Sequence, residues 1–414
     1  MKLLRRIKSV CPTCIKDISA HVVEYNGKVY MLKECDEHGK FKVLLSRDVS
    51  YYRKLHDLFN KFGFIGDESY KRNYYNLYLT LKCNLNCTIC LTNANSESEE
   101  PSLELIKKIV GRMKKTKIGL WGGEPTLRND LPEIIRIIRK LDNIPVLYTN
   151  GIKIADYNYL KTLKKSGLDV VHLQFDGFDD EIYKKLRGRG LIDIKLKSLD
   201  NLRRLKIPTV LETTFVKDLN ENEMKSIVDF AAMNKFITAV LFRSYSHQGK
   251  KGLAQNKQLL GEELIDTLDK QTGGRITKKK VLKFQKWLYR IYNLTSTRRC
   301  FYNQYFVLKR TKKRWKTFDD PGFFTSGLIN TSMKWFKLLF ERRFLQKSFT
   351  SSSMPDDFFI LGFGCICNAY DYEESSKKVC IGGEILPDGR IINSLVESNL
   401  LREKELFKIS NRVL

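Results

Sequence analysis

Three cysteines on one short stretch, Cys83, Cys87 and Cys90, constrain this chain more than any other feature. They stand in Leu77-Tyr-Leu-Thr-Leu-Lys-Cys-Asn-Leu-Asn-Cys-Thr-Ile-Cys90, a Cys-x3-Cys-x2-Cys cluster behind an apolar run. Three thiolates at this spacing suit three irons of a [4Fe–4S] cluster, whereas a closed cluster takes four cysteines. The remaining iron is then open to another ligand. A structural zinc site takes four ligands from paired knuckles, and no fourth ligand lies nearby in the sequence. Further along, Gly122-Gly123-Glu124-Pro125 follows a second short apolar run.

The chain has 10 cysteines in 414 residues. They fall into three groups: Cys11, Cys14 and Cys35; then Cys83, Cys87 and Cys90; then Cys300, Cys365, Cys367 and Cys380. That grouping points to metal sites in separate modules and to a reducing cytoplasm, not to disulfides. No N-terminal stretch reads as a signal peptide, because Met1-Lys-Leu-Leu-Arg-Arg-Ile-Lys lacks an apolar core. No run approaches the roughly 20 apolar residues of a spanning helix; the longest, Phe358–Ala369, is too short and carries cysteines. The formal charge of +27 is uneven: residues 275–347 hold 20 Lys/Arg against 3 Asp/Glu. Trp287, Tyr289, Tyr292, Trp315, Trp335, Phe336 and Phe340 crowd the same stretch.

Residues 1–70 read as a metal module followed by a linker. Cys11-Pro-Thr-Cys14 is a knuckle, and Cys35-Asp-Glu-His38-Gly39 is a second. Between them, strands at 21–25 and 28–33 flank Asn26-Gly27, a strong hairpin signal. Two knuckles joined by a hairpin give a zinc-ribbon or rubredoxin-like layout, with Cys11, Cys14, Cys35 and His38 completing a tetrahedral site for one Zn or Fe ion. Residues 71–250 alternate strand and helix, with strands at 77–82, 118–121, 146–149, 170–174, 210–216 and 239–245. Such alternation predicts an α/β fold of parallel βα units, here a partial (β/α)6 barrel. Function in parallel barrels gathers at the C-terminal strand ends. Both the cysteine cluster and Gly122-Gly123-Glu124 fall there, as do Asn150, Gln174 and Asp176. Glu212 and Thr214 on the fifth strand, and Arg243 on the sixth, are further candidates.

Residues 251–355 lose that rhythm and are expected to form a basic aromatic segment facing a membrane or a substrate. Met333–Lys347 has the spacing of a basic amphipathic helix, which suits an anionic membrane surface. A solvated surface and a single-stranded nucleic acid site are the competing readings, with nucleic acid the less favoured. In residues 356–414, Cys365, Cys367 and Cys380 together with Cys300 supply four thiols, enough for an auxiliary [4Fe–4S] cluster.

The two opening motifs resemble those of the radical S-adenosylmethionine (radical SAM) enzymes. The resemblance implies that Cys83, Cys87 and Cys90 hold the cluster, whose open iron chelates SAM. It implies that Gly122, Gly123 and Glu124 meet the SAM amino group, and that Asn150, Gln174 and Asp176 are SAM contacts. In that family, reduction cleaves SAM to methionine and a 5′-deoxyadenosyl radical, which removes hydrogen from an unactivated carbon. More narrowly, Trp121-Gly-Gly-Glu-Pro-Thr-Leu-Arg128, Tyr148-Thr-Asn-Gly-Ile152, Gln174-Phe-Asp-Gly177, Tyr245-Ser-His-Gln-Gly-Lys250 and the N-terminal knuckles look like the archaeal tetraether synthase family, some of whose members are dihydropterin methyltransferases. The closing segment departs from that family: it reads Asn393-Ser394-Leu395 where a Pro-Phe-Cys is usual. The resemblance implies a cytoplasmic, oxygen-sensitive enzyme, peripheral on the inner membrane face, which draws electrons from a donor such as ferredoxin. Its expected substrate is an archaeal ether lipid joined carbon to carbon. The alternatives are methyl transfer to a pterin, modification of a peptide, and a nucleic-acid-binding protein with structural clusters.

Overall fold

Two sheets organise the chain in the computed structural model, which describes residues 1–62, 74–96, 100–293, 303–312, 314–320, 356–364, 366–380, 382–392 and 394–410. The first sheet is N-terminal. Strands β1 (Lys2–Val10), β2 (Asp17–Tyr25), β3 (Lys28–Cys35) and β4 (Gly39–Ser46) pair antiparallel in sequence order. Asn26 and Gly27 both take positive φ, 49° and 72°, as the tight turn between β2 and β3 requires. The sequence indicated the middle hairpin; the structure adds a strand on each side of it. Helix α1 (Val49–Phe62) follows.

The second sheet carries the core. Strands β5 (Tyr74–Thr80), β6 (Lys117–Gly122), β7 (Ile144–Thr149), β8 (Val170–Gln174), β9 (Thr209–Phe215) and β10 (Ile237–Ser244) run parallel in sequence order. Helices α2 (Leu103–Val110), α3 (Leu131–Lys140), α4 (Tyr157–Lys165), α5 (Asp180–Arg187), α6 (Ile192–Arg204) and α7 (Met224–Met233) connect them. These are the parallel βα units of an α/β fold expected from the alternation. Each connecting helix buries an apolar stripe: in α3, Leu131, Ile134, Ile135 and Ile138 are fully buried. Each such side chain contributes roughly 1.5–3 kcal/mol by leaving water. Glu133 in the first turn and Arg139 and Lys140 in the last complement the helix dipole.

The sheet then grows at both edges in a way the sequence did not reveal. After α8 (Gly261–Gln271) and α9 (Lys278–Asn293), strand β11 (Asn303–Arg310) and strand β12 (Trp315–Thr317) pair antiparallel, and β13 (Phe358–Gly364) inserts between β11 and β10, parallel to β10. At the opposite edge, β14 (Gly383–Ile385) lies parallel to β5 and pairs with β15 (Ile391–Ile392). Short helix α10 (Ser375–Val379) precedes them and α11 (Leu395–Ser410) closes the chain. The apolar run starting at Phe358 is therefore a central strand buried on both faces. Among the described residues no helix is long and apolar enough to cross a membrane.

Part of the segment read as a membrane- or substrate-facing surface is core. Tyr289 and Trp315 are buried, and Phe284, Phe306 and Phe318 pack on one another at centroid distances of 5.7–5.8 Å. Trp287 is exposed. Tyr289 and Trp315, two of the aromatics that suggested a surface, thus belong to the core. The helix expected at Met333–Lys347 lies outside the described residues.

The N-terminal sheet is fastened to the C-terminal segment. Lys33, fully buried, donates to Ser9 Oγ (3.1 Å), Val10 O (3.0 Å) and Ala369 O (2.7 Å). Ser9 Oγ donates to Tyr372 O at 2.7 Å, and Arg5 pairs with Glu373 at 2.7 Å. A cleft of about 460 Å³ opens where β4, α1, residues 255–260, the start of α8 and residues 368–373 meet; Cys83, Cys87 and Cys90 are not among the residues that line it.

Candidate active site

The cysteine loop begins where β5 ends. Cys83, Cys87 and Cys90 are all half-buried free thiols. The loop is held by backbone bonds from two sides, α5 and residues 250–252. Thr88 N donates to Leu186 O (3.1 Å), Gly252 N to Thr88 O (3.1 Å) and Lys250 N to Cys90 O (3.0 Å). Asn95 Oδ1 accepts from Cys83 N at 2.8 Å, and Ala94 N points at Cys90 Sγ at 3.2 Å. Burial pushes the Cys83 thiol up to about 12, so an incoming metal must displace its proton. The donor set of three thiols fits an iron–sulfur cube, which takes each cysteine on a different iron.

Gly122 and Gly123 lie directly on this loop. A Cβ on Gly122 (φ 135°) would come 2.2 Å from Thr80 O, and one on Gly123 would come 2.3 Å from Lys82 O. Glycine is required because the strand end must touch the backbone that leads into Cys83. Glu124 is buried, and its carboxylate accepts from Thr126 N (3.1 Å), Thr126 Oγ1 (2.6 Å), Thr149 Oγ1 (2.8 Å) and Asn150 N (2.7 Å). Its role in this geometry is to lock the end of β7 to the end of β6.

The other candidates at the strand ends share one network. Asn150 Nδ2 donates to Asn84 Oδ1 at 2.7 Å, which ties β7 to the cysteine loop. Asp176 is fully buried and receives Arg187 through Nε (2.8 Å) and Nη2 (3.0 Å), as well as Gln174 Nε2 and Thr214 N (3.2 Å). The Arg187 guanidinium is held charged, because Asp176 and the Cys87 sulfur outweigh its burial. Lys195 joins the two ends: its Nζ donates to Asn150 O (2.5 Å), Gln174 O (2.8 Å) and Gln174 Oε1 (2.5 Å). Burial pushes the Lys195 ammonium down to about 7. Arg187 and Lys195 were not read from the sequence. Both come from helices, and no local pattern separates them from the surface Lys and Arg around them.

A second cluster covers the sheet face turned away from the helices. On that side, Glu212 lies between His172 Nδ1 (2.8 Å) and Arg243 Nε (3.5 Å), and Arg243 Nη1 donates to Asn303 Oδ1 (2.6 Å). The Tyr148 ring rests against His172 with centroids 4.3 Å apart, and its hydroxyl bonds that of Tyr74. Burial raises the Glu212 carboxyl, but Arg243 and His172 more than offset it and hold it below the ordinary range. Glu212 and Arg243 were candidates from the sequence; His172 and Tyr148 as members of a site were not.

At the N-terminal sheet, Cys11, Cys14, Cys35 and His38 bring one donor atom each to within 4.8 Å of one another, and among the described residues they are the group that does so. Cys14 Sγ and Cys35 Sγ stand 3.9 Å apart, and Cys35 Sγ and His38 Nδ1 3.6 Å. Tetrahedral zinc with bonds of about 2.3 Å to sulfur sets ligand atoms about 3.8 Å apart, so the quartet fits one ion. His38 lowers the Cys35 thiol to about 6, which favours the thiolate a metal needs. Of the four thiols expected to hold an auxiliary cluster, Cys300 and Cys365 lie outside the described residues. Cys367 and Cys380 are buried in a small core with Val10, Tyr372, Val396 and Leu400.

Residues 77–231 match the model of the radical SAM superfamily. They form a radical SAM domain. Residues 3–47 match the HMPTM N-terminal zinc ribbon domain. Over 307 residues the chain is 35% identical to the 7,8-dihydro-6-hydroxymethylpterin dimethyltransferase of Methanocaldococcus jannaschii, covering 66% of this chain and 60% of that protein. Over 157 residues it is 34% identical to a probable GTP 3′,8-cyclase of Pyrococcus abyssi, covering 37% of this chain and 51% of that protein. The chain thus spans half to three fifths of the length of these two relatives. Among solved structures it is similar to Streptococcus suis SuiB bound to its precursor peptide SuiA, with a TM-score of 0.44 and 12% identity, covering 97% of this chain and 88% of that one.

Proposed function

We propose that this chain is a radical SAM methyltransferase that acts on a pterin. The observation that carries the reading is the 35% identity to a pterin dimethyltransferase. The match of residues 3–47 to a zinc ribbon domain adds to it. In this reading Cys83, Cys87 and Cys90 hold the [4Fe–4S] cluster, and the network of Asn150, Gln174, Asp176, Arg187 and Lys195 builds the bed on which SAM lies. When bound, the cluster and SAM supply the one-electron chemistry that opens an unactivated C–H bond. The chain's own part is to orient, to exclude water and to hold charge: Arg187 and Asp176 fix the cysteine loop against β8, and Glu124 fixes β7. The ether-lipid substrate, expected from the resemblance together with the basic aromatic residues 251–355, gives way in this reading to the pterin for which the 35%-identical relative is named. The ribbon ion has a structural role, tying the knuckle after β1 to the one at the end of β3.

The test is an anaerobic reaction of the reconstituted full chain with SAM, a strong reductant and a 6-hydroxymethyl dihydropterin. The proposal expects 5′-deoxyadenosine and methionine from one SAM, together with a pterin in which one or two hydrogens are replaced by methyl groups, each taken from a further SAM that is left as S-adenosylhomocysteine, with the added reductant supplying the electrons. SAM cleavage with an unchanged pterin, alongside bridged tails when a diether lipid replaces it, would return the lipid reading.

A further inference from the structure

Neighbouring residues on the parallel strands face opposite ways, and the two faces of this sheet differ. Leu77, Leu120, Leu147, Leu173, Leu211 and Phe242 point to the helices and are fully buried. Their neighbours Trp121, Tyr148, Gln174, Glu212 and Arg243 are only half-buried. On this open face a band of polar and aromatic groups runs across the sheet from β5 to β11: Tyr74, Tyr148, His172, Glu212, Arg243 and Asn303, each touching the next. Gly119 on β6 lets the band cross, since a Cβ there would come 2.5 Å from Asn76 Oδ1 and 2.9 Å from Tyr74 Oη.

Two features mark this band as a binding surface and not as internal support. The Glu212 and Arg243 side chains keep 20% and 23% of their area exposed, so a ligand can reach them. His172, by contrast, is 2% exposed and its Nε2 has no hydrogen-bond partner among the described residues. Leaving such an atom unmatched is costly unless something else meets it. The location is also apt. Glu212 is the register partner of Gln174, which belongs to the strand-end network described above, and adjacent strands lie about 4.8 Å apart.

We propose that this face is the substrate seat and that it takes a planar heteroaromatic ring carrying adjacent N–H donors, with Glu212 receiving those donors and Tyr148 flanking the ring. His172 and Arg243 hold the carboxylate in place from either side. A ring bearing an amino group beside a ring N–H offers two parallel donors, which match the two oxygens of one carboxylate. An alkyl chain does not suit the face, because it would cover Glu212, Arg243 and His172 without satisfying them. The choice of a pterin as the probe ring rests on the function proposed above; the assignment of the seat does not.

The experiment measures KM for a dihydropterin and for its analogue lacking the 2-amino group, with a purine nucleotide as a third ring, using wild type, Glu212→Gln and His172→Gln full chain. Iron content and cluster absorbance confirm that each variant is assembled. Wild type is expected to prefer the 2-amino pterin by roughly 10–100-fold, and both variants to lose most of that preference; a merely structural role would alter rates for all rings alike. If wild type acts on the purine and not on the pterin, and Glu212→Gln abolishes that selectivity, the seat stands and the pterin reading falls. If the pterin is methylated with the same preference by wild type and both variants, the seat is wrong and the pterin reading stands. If wild type turns over a lipid and none of the rings, both fall.

Discussion

Arg187 is the residue on which the cysteine loop and the strand-end network depend together. It is buried against Asp176, with side-chain exposures of 9% and 0%, so neither charge has water to replace its partner. Arg187→Ala is expected to destabilise the fold by about 3–5 kcal/mol, as a broken buried pair does, measured by denaturant titration. Arg187→Lys restores only part of this, since an ammonium lacks the two-pronged geometry. Gly123→Ala tests a different contact. Its Cβ would press on Lys82 O and Leu81 O at 2.3 and 2.6 Å, backbone that leads straight into Cys83. The variant is expected to lose cluster iron while keeping one zinc per ribbon, which metal analysis would show; unchanged iron would mean the loop has slack. The cysteines and both glycines were legible in the sequence because their chemistry depends on local spacing. The Glu212–His172 contact was not, since it joins strands 40 residues apart in the chain.

The elements divide in the same way. The six parallel strands were readable as short apolar runs between amphipathic helices. Strand β13 was not, because an apolar run looks alike in a strand, a buried helix or a membrane candidate, and its neighbours β10 and β11 are fixed only by the folded sheet. Helix α1 carries a testable charge. Burial, with help from Arg5, pushes the His56 imidazole down to about 4 from an ordinary 6.5. The unfolded chain therefore takes up a proton between those values while the folded one does not, and acid in that window favours unfolding. His56→Gln is expected to remove about 1–2 kcal/mol of stability loss on going from pH 7 to pH 4, after discounting for the partial exposure of the ring. Equal acid sensitivity of the two proteins would show that the ring is solvated. The ribbon makes a second element-level case. Lys33, Ser9 and Arg5 fasten it to residues 369–373, so chelating its ion should raise amide exchange in residues 366–374 as well as in the ribbon. Exchange confined to residues 1–47 would contradict the coupling.

In the whole molecule, a radical SAM domain is flanked by pieces from both ends of the chain that meet each other. The C-terminal strand β14 completes one edge of the sheet, and Glu384 on it is buried against Ser398 and Arg402 of α11. The segment just before β14 receives the ribbon. The domain's metal loop, its strand-end network and its open polar face thus sit on one scaffold, which holds reacting groups more closely than loops alone. All of this presumes that three cysteines hold a cluster with one iron free to take SAM. The direct test is electron paramagnetic resonance of the anaerobically reduced full chain with and without SAM, alongside assay of 5′-deoxyadenosine. The account predicts a [4Fe–4S]+ signal that changes when SAM is added, followed by 5′-deoxyadenosine, and loss of both in Cys83→Ala, Cys87→Ala and Cys90→Ala. A cluster signal indifferent to SAM, with no 5′-deoxyadenosine formed, would contradict it.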